Sequence, residues 1–238
     1  MKRLLLYVLA NCVLGSLTSG TIGQYPSGNS SKQLPQFEVP SFCPPEGSSS
    51  PSSDEELNKK RNRIDESGRY EPVALDAIGQ LPWPPELANR RRRDWKTEDL
   101  TAIARYEGTP IMVQGYLVKM PSKRGGEGAI RQGPESCNCG RSELKYVDFI
   151  LRIVAVPGGN QSDSIVAEMT PRIRKGHPQW TIDNLGYIAR ERLLIRVYGW
   201  LVLDQYQIAE VGHSRSTPWQ IHPITQIQVR ENGRWKTL

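Results

Sequence analysis

Val113-Gln114-Gly115-Tyr116-Leu117-Val118 returns later in the chain as Val197-Tyr198-Gly199-Trp200-Leu201-Val202, the shared pattern being V-x-G-[YW]-L-V. Each copy lies in an alternating run that reads as a strand. In the first, Ile111, Val113, Gly115 and Leu117 fall on one side, with Gln114, Tyr116 and Val118 on the other. A glycine inside a strand weakens it, so its use in both copies marks a bulge or a sharp bend, as a tightly coiled barrel requires.

Further strands follow from the same reasoning outward. Residues 146–156 place Val147, Phe149, Leu151, Ile153 and Ala155 on one face, and Pro157-Gly158-Gly159-Asn160 turns the chain into a strand over 164–170. Ile182, Leu185 and Ile188 are spaced as a short helix, then strands run over 193–204 and 220–229. Three strands, a helix and two strands is the layout of a five-stranded Greek-key barrel of the OB type. A helix is expected ahead of the barrel, with Thr97 as N-cap, Glu98 and Asp99 in the first turn, and Leu100, Ile103 and Ala104 on one face. The fold class is therefore mainly β: one OB-like barrel over 97–238 with an inter-strand helix and an N-terminal helix.

The remainder is read as appendage. Met1-Lys2-Arg3, the apolar run from Leu4 and the small residues up to Gly23 form a signal peptide over 1–23, which predicts export to the periplasm or the medium. An uncleaved leader acting as an N-terminal anchor is the alternative, and no other segment reads as a membrane span. Residues 24–69, including Pro44-Pro45-Glu46-Gly47-Ser48-Ser49-Ser50, read as a disordered linker. Residues 70–96 read as a helical, basic connector ending in Arg90-Arg91-Arg92-Arg93, a run taken as a solvated face or a phosphate-binding strip. Hydrophobic residues make up 37% of the 238, with 21 Gly, 18 Pro and a mean hydropathy of −0.52, which excludes collagen, coiled coil and a polytopic membrane protein.

Charge is divided unevenly along the chain. Residues 1–100 carry 13 Lys+Arg against 13 Asp+Glu, so the net +6 lies wholly in residues 101–238, with four of six Trp and six of nine Tyr. Tyr116, Arg196, Tyr198 and Trp200 project from the outward side of the first and fourth strands, and Lys123 and Arg124 lie in the basic loop between strands one and two. With Arg215 these form a binding face for a polyanion, single-stranded nucleic acid first and an envelope glycan second. Equally, Tyr116 and Trp200 could pack beneath the N-terminal helix.

Glu168, His177, Asp204 and His222, with Asp148 as a further candidate, have the side-chain types of a metal-dependent hydrolase, the catalytic alternative. Their spacing is not that of a zincin or a P-loop, and no cofactor or resident metal is expected. A third reading is a structural envelope protein with a protein partner. Cys43, Cys137 and Cys139 survive removal of the leader. Cys137-Asn138-Cys139 is too close for a C-x-x-C site, so Cys43 bonding either one would pin the linker and leave an odd thiol.

Glu168-Met169-Thr170-Pro171-Arg172, His177-Pro178-Gln179-Trp180, Gly199-Trp200-Leu201-Val202-Leu203-Asp204 and Trp219-Gln220-Ile221-His222-Pro223 resemble a bacterial family of uncharacterised OB-fold-like proteins. That family shows E-x-T-P-R, a D-x-H in the second strand and W-E-I-H-P near its end. The resemblance spans about residues 57–238 and implies the barrel but no activity. Here Ile150 stands where the family has His, and Gln220 where it has Glu.

Overall fold

The computed structural model describes residues 43–49, 53–119, 129–131 and 133–238. In chain order the elements are α1 (Glu55–Arg61), β1 (Glu71–Pro72), α2 (Leu75–Gly79), α3 (Thr97–Ala104), β2 (Pro110–Leu117), β3 (Ile130–Arg131), β4 (Phe149–Val154), β5 (Ile165–Met169), α4 (Pro171–Arg174), α5 (Ile182–Arg190), β6 (Ile195–Leu203), β7 (Trp219–Glu231) and β8 (Arg234–Thr237). Five of these strands close a mixed barrel in the order β2–β6–β7–β5–β4, with β4 pairing back onto β2. All the closing pairs are antiparallel except β5 with β7. The chain is thus an OB-like barrel, and α5 sits between its third and fourth strands as expected. β1 extends the barrel sheet beside β2, β3 pairs β4, and β8 folds back on β7.

The two glycines of the repeated motif sit at the bends. β2 pairs with β6 as far as Gly115 opposite Ile195, then switches to β4 from Tyr116 opposite Val154. A Cβ at Gly115 would stand 2.6 Å from the Val154 carbonyl oxygen, and one at Gly199 would stand 2.3 Å from that of Pro223. The β6–β7 register shifts on either side of Gly199, so the strand coils there.

Alternation assigns the two faces of the barrel wall. Phe149, Leu151 and Ile153 of β4, Ala167 and Met169 of β5, Val197 and Leu201 of β6, and Trp219 and Ile221 of β7 fill one core, which Leu185 and Ile188 of α5 also join. Asp148, Glu168, Gln220 and His222 belong to the opposite, outward phase of the same strands. Those outward residues are nonetheless buried, because another layer of chain covers them.

That layer corrects the expectation of disorder over 24–69. Where described, it is folded: Asp54 caps α1 by accepting from the Leu57 N–H at 3.1 Å, Leu57 is buried, and Cys43 is joined to Cys139. Glu55 and Glu56 in the first turn and Lys59, Lys60 and Arg61 in the last suit the helix dipole, a local signal that average composition hides. Cys137 is left as a buried free thiol. The signal peptide over 1–23 lies outside the described residues. Among the described residues no helix is long and apolar enough to cross a membrane.

Two details of the helical region differ from expectation. Thr97 is the first residue of α3 rather than its cap; Lys96 holds the cap position and makes no side-chain bond there. Ile103 is buried but Leu100 is exposed, so α3 docks by a narrower face than its pattern implied. Nor is the arginine run simply solvated. Arg92 is buried, donating to both carboxylate oxygens of Glu107 at 2.6 Å and to the Leu203 carbonyl at 2.6 Å.

Candidate functional site

The outward face of β6 and β7 has two ends, and they differ in chemistry. One end gathers Asp148, which precedes β4, Glu168 of β5 and Gln220 and His222 of β7. His222 Nε2 lies 3.4 Å from Asp148 Oδ2, and its Nδ1 lies 3.6 Å from Glu168 Oε2. One donor atom from each of the three falls within 4.8 Å of the others, and Glu135, Cys137 and Asp148 form a second such group. Arg215 donates to Gln220 Oε1 at 3.1 Å, and the Gln220 amide nitrogen lies 3.2 Å from His222 Nδ1. Asn138 donates to Asp148 Oδ1 at 2.9 Å.

Exclusion of water dominates the electrostatics. Burial pushes the Asp148 carboxyl up to about 6 and the Glu168 carboxyl up to about 7, and it pushes His222 down to about 4. The covering segment supplies a cation to this region. Arg61 of α1 pairs with Asp204 at the end of β6, and its other terminal nitrogen lies 3.6 Å from Glu135. Burial opposes the Arg61 charge, but Asp204 and Glu135 outweigh it and raise its pKa. Arg172 holds the rest of the segment, donating to Asn62 Oδ1 at 2.9 Å and to the carbonyls of Cys43 at 2.6 Å and Pro44 at 3.0 Å.

Of the four residues of the hydrolase alternative, Glu168 and His222 therefore meet directly, while Asp204 acts on His222 only through its charge. His177 does not join them. It follows α4 and stacks on Trp180 with ring centroids 4.0 Å apart. Asp148, which was secondary in the sequence pattern, is central. Sequence offered no signal for Arg61 or Asn138, because contacts 143 and 10 residues apart leave no periodic trace.

The other end of the face is more open: Arg196, Tyr198 and Trp235 are half-buried, Tyr198 with the Tyr70 ring edge-on at 5.4 Å. Arg196 of β6 stacks its guanidinium on the Trp235 ring of β8 at 4.1 Å and donates to Gln114 Oε1 at 3.2 Å. Gln114, Arg196, Gln228 and Thr237 lie in one cross-strand row, and Arg230 stands opposite Trp235 in the next. Tyr198 donates to Gln228 Oε1 at 2.7 Å, and Tyr116 is half-buried against Val118 and Val154. These two and Arg196 lie on the outward face as expected.

Two expected contacts do not. Trp200, read either as a stacking surface or as packed beneath the N-terminal helix, is only 8% exposed. Arg63 lies 3.3 Å over its ring and its indole N–H donates to the Asp65 carbonyl at 3.0 Å, so the covering chain rather than α3 buries it. Arg215 is buried against Gln220 and is no surface contact. Lys123 and Arg124 lie outside the described residues. Trp235 was missed, although Glu231-Asn232-Gly233-Arg234 carried a hairpin signal: Asn232 and Gly233 have φ of 49° and 75°, the positive values a tight Asn-Gly turn needs.

Compared with known proteins, the chain matches no family model, no curated protein and no solved structure.

Proposed function

We propose that the chain is an exported, non-catalytic binding module that takes a polyanion, a single-stranded oligonucleotide first, on the open end of its barrel face. The observation that carries this reading is the Arg196 guanidinium stacked on Trp235. Stacking holds the cation flat while its remaining N–H groups stay available to phosphate, and an aromatic next to fixed cations is what single-stranded nucleic acid recognition uses. Residues 190–196 and 226–238, which hold this region, carry six Lys or Arg against two Glu. The closed end offers a poorer catalytic site, since its carboxylates and His222 are buried beneath the covering segment. The disulfide of Cys43 with Cys139 supports export, because such bonds persist in oxidising compartments.

The test is fluorescence anisotropy of a labelled single-stranded oligonucleotide titrated with the protein at low and moderate salt. Saturable binding that weakens steeply with salt is expected. Trp235→Ala should weaken it by about 5- to 150-fold, the range for one lost stacking partner at about 1–3 kcal/mol. Flat anisotropy at low salt overturns the reading. Equal competition by a sulfated glycan would assign the face to charge alone and drop the oligonucleotide.

A further inference from the structure

We propose that Asp148, Glu168 and His222 form a binding site for one divalent first-row transition ion, Zn2+ the first candidate, which ties the start of β4 to β5 and β7 beneath the covering segment. The site is independent of the polyanion reading and lies at the other end of the face.

Geometry comes first. Asp148 Oδ2, Glu168 Oε2 and His222 Nε2 are all buried, and none has a hydrogen-bond partner. Buried polar atoms are rarely left so, and three such atoms on residues that cluster within 4.8 Å can be satisfied by one shared partner. In a tetrahedral zinc site with bonds of about 2.0–2.2 Å the donors stand roughly 3.3–3.6 Å apart. His222 Nε2 and Asp148 Oδ2 already meet that spacing at 3.4 Å, and the set as a whole lies within 4.8 Å. Glu168 Oε2 now faces Nδ1 at 3.6 Å, and a turn of its side chain toward Nε2 completes the set.

Charge and donor type agree. Two carboxylates and a neutral imidazole carry a charge of −2, which a divalent ion cancels. Arg61 of the covering segment reaches this region, but it is already engaged by Asp204 and Glu135. Mixed nitrogen and oxygen donors favour zinc or its first-row neighbours over Mg2+ and Ca2+, which prefer all-oxygen shells. Asp148 is shared with the group containing Cys137 and Glu135, so the Cys137 thiol is the next donor in line. Because the site is sealed, the ion's role is structural.

Gln220 makes the proposal sharp. For Nε2 to hold a metal, the proton must sit on Nδ1 and find an acceptor. Glu168 Oε2, at 3.6 Å, is the acceptor that faces Nδ1, and its use as a ligand takes that acceptor away; Gln220 Oε1 accepts from Arg215 and turns its amide nitrogen, a donor, to Nδ1. A carboxylate at that position could accept from Arg215 and from Nδ1–H together. Gln220→Glu should therefore tighten the ion by about 10- to 100-fold, the usual weight of such an outer partner.

The experiment unfolds the full chain with its disulfide intact, strips it with chelator, and refolds it with Co2+, Zn2+ or Mg2+. One tightly held Co2+ or Zn2+ per chain by mass spectrometry, visible Co2+ bands, a raised Tm and no retention of Mg2+ are expected. Glu168→Gln should abolish retention, with near-ultraviolet circular dichroism confirming its fold; if it fails to fold, the ion content of the unaltered chain and of Gln220→Glu decides. A folded chain that retains no ion overturns the proposal. So does an ion retained unchanged in folded Glu168→Gln, or a Gln220→Glu chain that binds no tighter.

Discussion

Along one face of β6, Arg196 and Tyr198 lie before Gly199 and Trp200 and Asp204 after it, and the two sides have opposite fates. Before the glycine the face is open, basic and aromatic, with Arg196 on Trp235. After it the face is sealed and rich in carboxylates, roofed by residues 53–65, which place Arg61 on Asp204 and Arg63 on Trp200. The register shift at Gly199 divides them. The same strand phase thus does two jobs, and what separates them is the second layer of chain. Charges at the sealed end are dehydrated, so each depends on its partner; charges at the open end are solvated and nearly indifferent to stability. Mutations at the two ends should therefore report on different properties.

The largest effect is expected from Arg61→Ala. It leaves Asp204 buried without its cation, and removing one member of such a pair costs about 3–5 kcal/mol. Chemical denaturation followed by tryptophan fluorescence measures it. A loss below about 1 kcal/mol would mean that Asp204 is hydrated and the end is not sealed. Next comes Cys43→Ser. The disulfide spans 96 residues, and releasing a closed loop of that order costs about 2–4 kcal/mol in typical cases. The same variant should speed proteolysis near Cys43, since hydrogen bonds such as those from Arg172 to the Cys43 and Pro44 carbonyls then hold the start of that stretch without a covalent tie.

The open end was more legible in the sequence than the sealed one. Period-two alternation and the two V-x-G-[YW]-L-V copies are local signals, and they located the five barrel strands and both bends. They also put Arg196, Tyr116 and Tyr198 on the outward face. Alternation cannot say whether an outward face is covered, so it leaves Trp200 between a binding surface and a packed position and gives no sign that Arg215 is buried. The cover itself was hidden because a Pro- and Ser-rich average masks the short run from Asp54 to Asn62, whose order rests on tertiary contacts such as Asn62 with Arg172. Trp235 lies beyond the last strand that alternation locates, on a hairpin that the Asn232-Gly233 pair signals.

A smaller effect concerns acid. Burial alone would raise the Glu107 carboxyl, but Arg92 and Lys60 outweigh it and hold it below the usual carboxylate range. A carboxylate lowered in the folded state adds stability that is fully present above its unfolded pKa of 4.5 and is lost as pH falls through the lower folded value. The urea midpoint of the protein should therefore fall on acidification below about pH 4.5. In Glu107→Gln the midpoint should start lower and fall less steeply. An unchanged acid slope in that variant would assign the loss to other carboxylates and weaken the picture of a sealed end held by ion pairs.

The smallest effect on stability is expected where the largest effect on binding lies. Arg196 makes one hydrogen bond, to Gln114, and stacks on a half-exposed ring, so Arg196→Ala should change stability by no more than about 0.5 kcal/mol. If this guanidinium meets phosphate, the same variant should weaken oligonucleotide binding and reduce the slope of log affinity against log salt by about 1. The pairing of results carries the argument. Weaker binding with an unchanged salt slope would make Arg196 a support for the Trp235 ring rather than a phosphate contact. A stability loss above about 1 kcal/mol would place Arg196 with the structural residues and erase the contrast between the two ends.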